Sequence, residues 1–167
     1  MTERALVLLR HSKAEHGDTA DIDRSLTQRG HADAAAAGAW LARHRHVPDL
    51  VICSPARRTR QTWHAVAVAL GEAAQAAPVV RYEQEAYDGS AEDLLALVRG
   101  VEDEFRTVLV IGHNPPISQL SATLDPESAR DSDGLRTSGI AVHDVPDAWA
   151  ACGAEPAPLA HVHTARG

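Results

Sequence analysis

A chain of 167 residues has room for one compact domain, which buries roughly two thirds of the surface its unfolded form would expose, and none for a second. A formal net charge of −7 argues against nucleic acid or an anionic membrane as partner, so any anion the protein handles must meet a local group of basic residues. Cys53 and Cys152 are too few for a disulfide framework and point to a reducing, cytoplasmic setting, and the apolar run Ala5 to Leu9 is too short for a signal-peptide core or a membrane span.

That first run, Ala5 to Leu9, stops abruptly at Arg10-His11, as a strand buried on both faces does where it leaves a sheet. A polar loop from Ser12 to Asp23 follows, and Thr27 stands as N-cap of an alanine-rich helix that carries Ala34, Gly38, Trp40 and Leu41 and ends near Arg43 to His46. Leu50 to Cys53 is a second strand, ending at Ser54-Pro55, after which Arg57 to Leu70 resumes helical periodicity. Val79 to Tyr82 reads as a short strand, and Ser90 with Asp93 forms a capping box ahead of Leu94, Leu95, Leu97 and Val98. The most hydrophobic strand, Thr107 to Gly112, ends at His113-Asn114-Pro115-Pro116 before a helix over Ile117 to Leu124. Asp125 to Arg136, rich in Asp, Ser and Gly, reads as a mobile loop, and Gly139 to Val145 as one more strand. The Ala- and Pro-rich segment after Trp149 carries no assignable pattern.

Repeated strand and helix alternation with short connections predicts an α/β fold, a three-layer sandwich whose mainly parallel sheet has helices on both faces, as a single domain over residues 1–167. Ligands of such sheets bind beyond the carboxyl ends of the strands. Predicted strands end in Arg10-His11, in Ser54-Pro55-Ala56-Arg57-Arg58 and in Gly112-His113, so histidines and arginines converge on one rim. A neutral imidazole is a competent nucleophile toward phosphorus, and guanidinium forks fit phosphate oxygens. The second histidine would supply charge or proton transfer, and the helix that opens after His113 would add backbone amides, with Asn114 orienting the turn.

Together Leu-Arg10-His11, Ser-Pro-x-x-Arg58-x-x-Gln-Thr and Gly-His113-Asn-Pro resemble, in order and spacing, the motifs of the histidine phosphatase superfamily, the phosphoglycerate mutase-like proteins. Asp23-Arg24-Ser25-Leu26-Thr27-x-Arg29-Gly30 is similar to the short bacterial phosphohistidine phosphatase (SixA-type) branch, and the likeness is clearest over 5–124. Ser12 stands where that pattern most often has Gly or Ala. The resemblance implies that His11 is transiently phosphorylated, that Arg10, Arg58 and His113 bind the phosphoryl group, and that water then attacks the phosphohistidine. It also implies a carboxylic acid that protonates the leaving group, for which Glu85 is the best positional match, with Glu83 and Asp88 as alternatives or no such acid at all.

Other residues have simpler readings. Arg57 and Arg60 read as solvated arginines at a helix start, Tyr87 as a packing residue and Cys53 as a small buried hydrophobe. His44 with His46, and His161 with His163, lack the carboxylate or cysteine that would complete a metal site, so no metal and no cofactor is expected. The expected activity is hydrolysis of a phosphohistidine protein or a small phosphorylated metabolite. A mutase, or a phosphate-binding adaptor without turnover, is the alternative, and the oligomeric state stays open.

Overall fold

A computed structural model describes residues 3–130 and 132–167, so that Asp131 of the expected loop lies outside the described residues. A six-stranded sheet has the spatial order β3-β2-β4-β1-β5-β6. Its strands are β1 (Arg4–Arg10), β2 (Leu50–Cys53), β3 (Val79–Tyr82), β4 (Thr107–Gly112), β5 (Gly139–Val145) and β6 (Leu159–Thr164). β3, β2, β4 and β1 are parallel, β5 runs antiparallel beside β1, and β6 runs antiparallel to β5 at the edge.

The unbroken apolar runs arise because both faces of the sheet are covered. Leu6 and Leu8 of β1 point with Val108 and Val110 of β4 into one core, while Val7 and Leu9 point with Leu109 and Ile111 into the other, the period-two alternation of a strand. The second core is roofed by α1 (Gln28–Arg43) and α2 (Arg57–Leu70), through Trp40, Leu41, Trp63 and Val66. The first is roofed by α4 (Ala91–Arg99) and α5 (Pro116–Leu124), through Leu94, Val98, Ile117 and Leu120, and closed by Trp149, which is fully buried. Burying each of these leucines contributes about 1.5–3 kcal/mol, which is what holds the three layers together.

Local chemistry sets the helix ends. Thr27 accepts a hydrogen bond from the Gly30 amide at 2.9 Å, and Ser90 and Asp93 form the reciprocal capping box. Gly38 lets α1 lie against α2, since a Cβ there would stand 2.5 Å from the Val66 carbonyl oxygen.

Two expectations change. The segment 125–136 is partly helical: α6 (Pro126–Ala129) is capped by Asp125, which accepts from the Ser128 amide and also from the Leu159 amide that opens β6. The unassigned C-terminal segment contains a 3-10 turn at Trp149–Ala151 and the edge strand β6, in which Ala160, His161 and Val162 are exposed. Histidines alternate with apolar residues along β6 and its middle is exposed, so it carries no apolar run. A single helical turn, α3 (Glu85–Asp88), also separates β3 from α4.

Candidate active site

Adjacent parallel strands deliver their carboxyl ends to one rim. Arg10 of β1 pairs with Gly112 of β4, the His11 amide donates to the Gly112 carbonyl at 3.1 Å, and the Ser54 amide donates to the Ile111 carbonyl at 3.1 Å. His11, Ser54 and His113 are therefore neighbours by register, and the imidazoles of His11 and His113 stand 5.2 Å apart between ring centres.

Hydrogen bonding fixes both ring tautomers. His11 Nδ1 donates to the Ser12 carbonyl at 2.7 Å, which leaves Nε2 with its lone pair free. Burial pushes the His11 pKa down to about 4, and the nearby guanidinium charges of Arg58 and Arg10 act in the same direction, so the ring is neutral at pH 7. His113 Nδ1 accepts from Arg58 Nη2 at 3.2 Å, so its Nε2 donates to Ser54 Oγ at 2.8 Å. Burial, then repulsion from His11 and Arg58, lowers its pKa to about 3. His113 is thus neutral in the empty site, and a bound phosphoryl dianion would raise its proton affinity.

The arginines carry unspent donors. Arg10 Nη1 donates to the Leu135 carbonyl at 3.2 Å, and Arg58 Nη1 donates to the Asp21 carbonyl at 2.7 Å. Among the described residues, Nε of Arg10 and Nε of Arg58 are buried without a hydrogen-bond partner. An unmet buried donor costs about 1–3 kcal/mol, and the guanidinium groups that carry these donors lie near enough to His11 for their charge to lower its pKa, an arrangement suited to an oxyanion.

The supporting bonds show what the motif residues do. Gln61 Oε1 accepts from the Leu26 amide and from Ser25 Oγ, tying the 12–27 loop to α2. Thr62 Oγ1 donates to the Arg58 carbonyl and accepts from the Ser12 amide. Thr59 Oγ1 donates to the Ser54 carbonyl at 2.8 Å. Gly30 is required because a Cβ would meet the Lys13 carbonyl oxygen at 2.1 Å. Ser12 is fully buried, and its hydroxyl pairs with that of Ser138, whose amide faces the Arg10 and His11 carbonyls and whose φ is +60°. A serine after His11 is therefore a built contact of this pocket.

Some expectations are corrected. The α5 start gives little to an anion, since Pro115 and Pro116 have no N–H and the Ile117 amide is spent on the His113 carbonyl. Asn114 does orient the turn, donating to the Leu135 carbonyl at 2.7 Å. Glu85 is exposed in the first turn of α3, and its side chain has no hydrogen bond or ion pair among the described residues. The carboxylate that reaches the cluster is Asp21, accepting from Tyr87 Oη at 2.6 Å and from Arg58 Nη2 at 3.1 Å. The Tyr87 bond first, and Arg58 with it, holds the Asp21 carboxyl near pKa 2. Tyr87, expected only to pack, also sets its ring edge-on to His113 at 5.5 Å. Asp21 gave no sequence signal because only the fold of the loop carries it to Arg58, 37 residues away. Leu135 and Ser138 were missed for the same reason, whereas Ser54 stands in the strand-end motif.

Among the described residues no group of three or more His, Cys, Asp or Glu side chains is placed to hold a metal ion, and no helix is long and apolar enough to cross a membrane. His44 and His163 stack on Trp40 at 4.2 and 5.0 Å between ring centres, and His46 and His161 complete a rim around the same indole, so these histidines are packed as well as solvated.

A profile of the histidine phosphatase superfamily (branch 1) matches residues 6–82, the stretch that runs from β1 to the end of β3. An uncharacterised protein of Mycobacterium tuberculosis H37Rv is 36% identical over 150 residues, covering 85% of this chain and 90% of its own length. Among solved structures, the candidate phosphohistidine phosphatase SixA of Nakamurella multipartitia superposes with a TM-score of 0.85 at 35% identity, over 99% of this chain and 98% of that one. Its Agrobacterium tumefaciens counterpart gives 0.81 at 28% identity, over 98% and 99%. With the fold matched over nearly the whole chain and Arg10, His11, Arg58 and His113 gathered at the carboxyl rim of its sheet, the chain belongs to the histidine phosphatase superfamily, in its SixA-type branch.

Proposed function

We propose that the protein is a phosphatase that removes the phosphoryl group from a phosphohistidine side chain through a covalent intermediate on His11. The observation that carries this reading is the open Nε2 of a neutral His11 among the Arg10 and Arg58 guanidinium charges, which lie near enough to lower its pKa. Nε2 attacks phosphorus, the bond from phosphorus to the substrate's ring nitrogen breaks, and the departing imidazole takes its proton from water. Water then attacks phosphorus, the bond to Nε2 breaks, and inorganic phosphate leaves with His11 neutral again. Arg10 and Arg58 hold the equatorial oxygens through both steps, and His113, made more basic by the dianion, donates a further hydrogen bond to them.

Preference for a phosphoramidate over a phosphate ester follows from the carboxylates. Asp21 is held ionised by Tyr87 and Arg58, and Glu85 stands exposed without a fixed partner, so neither is a poised acid. Imidazole leaves phosphorus with little help, whereas an alkoxide needs a proton. The likeness to SixA proteins supports the same substrate class. Both cysteines are free and buried, which fits work in a reducing compartment.

The test is turnover of a phosphohistidine protein and of para-nitrophenyl phosphate by wild type and by His11→Ala. Wild type should favour the phosphohistidine protein in kcat/KM, with the variant at least about 10³-fold slower on both. Equal activity of the two proteins would overturn the proposal, and a preference for the ester would return it to a phosphomonoesterase.

A further inference from the structure

Beside the phosphoryl pocket, α2 and the start of α1 enclose an open groove of about 370 Å³ lined by His31, Arg57, Arg60, Gln61 and His64. Positions 57, 60, 61 and 64 have the i, i+3, i+4, i+7 spacing of one helical face, a stripe about 10 Å long at 1.5 Å per residue. It begins at the residue before Arg58, whose guanidinium lies in the pocket, and runs away from the rim along α2.

The charge of this groove is opposite to that of the molecule. The chain carries −7 overall, yet none of the lining residues is acidic, and two are arginines. Arg57 and Arg60 are exposed, and among the described residues neither is in an ion pair. Arg60 is also held in place, its Nε donating to the Pro55 carbonyl at 2.9 Å. His31 and His64 are exposed and line the same groove. Unpaired cations along a groove that opens from a reaction site are an electrostatic guide for whatever is attached to the reacting group.

We infer that this stripe is a docking surface for an acidic protein segment flanking the phosphorylated histidine. An extended chain advances about 3.3 Å per residue, so roughly three residues next to the phosphohistidine would cover the stripe and place alternate carboxylates near Arg57 and Arg60. The inference rests on the proposed phosphohistidine substrate, but its test needs no turnover.

A fluorescently labelled, unphosphorylated peptide with glutamates after its histidine, and its glutamine counterpart, are titrated against the whole chain at low salt and followed by anisotropy. The glutamate peptide should bind about tenfold more tightly, lose that advantage as salt rises, and lose it in Arg57→Glu, while para-nitrophenyl phosphate turnover stays within about twofold of wild type. Arg60→Ala serves as a second variant should Arg57→Glu fold poorly, and it should weaken the same preference. Equal binding of the two peptides, or an undiminished preference in both variants, overturns the docking surface. If the preference holds but no phosphohistidine protein is turned over, the substrate reading fails while the acidic-segment surface stands.

Discussion

At the carboxyl rim of the sheet, His11 and His113 face each other between Arg10 and Arg58; where α1 ends beside β6, His44, His46, His161 and His163 gather around Trp40. Both groups bring imidazoles within about 6 Å of one another, a spacing at which rings interact. In the first, each ring is held in one tautomer and the surrounding guanidinium groups keep buried donors unspent. In the second, the rings pack around one indole, three stacked and His161 edge-on, and His44 Nδ1 donates to the Trp40 carbonyl. A cluster of histidines is therefore no site in itself. Fixed tautomers among buried guanidinium charges are what set the rim apart.

The sharpest way to break this contrast is at Arg58. Arg58→Ala removes a donor to the phosphoryl oxygens and the bond that sets His113, and should lower kcat/KM by about 10²- to 10³-fold in steady-state assays. A loss below tenfold would show that the unspent donors are not what defines the rim.

A smaller effect separates the two groups by pH. The pKa of His11 lies at about 4, lowered by burial first, and it must be neutral to attack. With the substrate's own ionisation accounted for, kcat/KM should hold from pH 7 toward 5 and fall as pH drops through about 4. An acid limb centred near the ordinary histidine value of about 6.5 would mean that burial and the guanidinium charges do not control the nucleophile. The smallest effect belongs to the Trp40 group: His44→Ala and His163→Ala should leave kcat/KM within about twofold of wild type, and a larger loss would tie that edge to the rim.

Much of this was legible in the residues themselves. β2, α2 and β4 begin and end where their apolar runs and helical spacing do, because those elements bury whole faces and the pattern is strong, while the edge strand β3 was marked by its short Val79-Val80 run. Arg10, His11, Arg58 and His113 were legible as strand-end residues. The rest was hidden for a physical reason: Ser138 reaches Ser12 across 126 positions, the Leu135 carbonyl reaches Arg10 across 125, and Asp21 reaches Arg58 from a loop with no period of its own. The edge strand β6 was silent because its sequence, Leu-Ala-His-Val-His-Thr, has no apolar run, and its central residues are exposed.

The central claim is that His11 Nε2 carries the phosphoryl group. Rapid quenching into base during turnover, followed by phosphorus NMR and peptide mapping, reads both the residue and the ring nitrogen. Acid-labile phosphate on Nε2 of His11, absent in His11→Ala, is the predicted result; phosphate on His113, or on Nδ1 of His11, would contradict it.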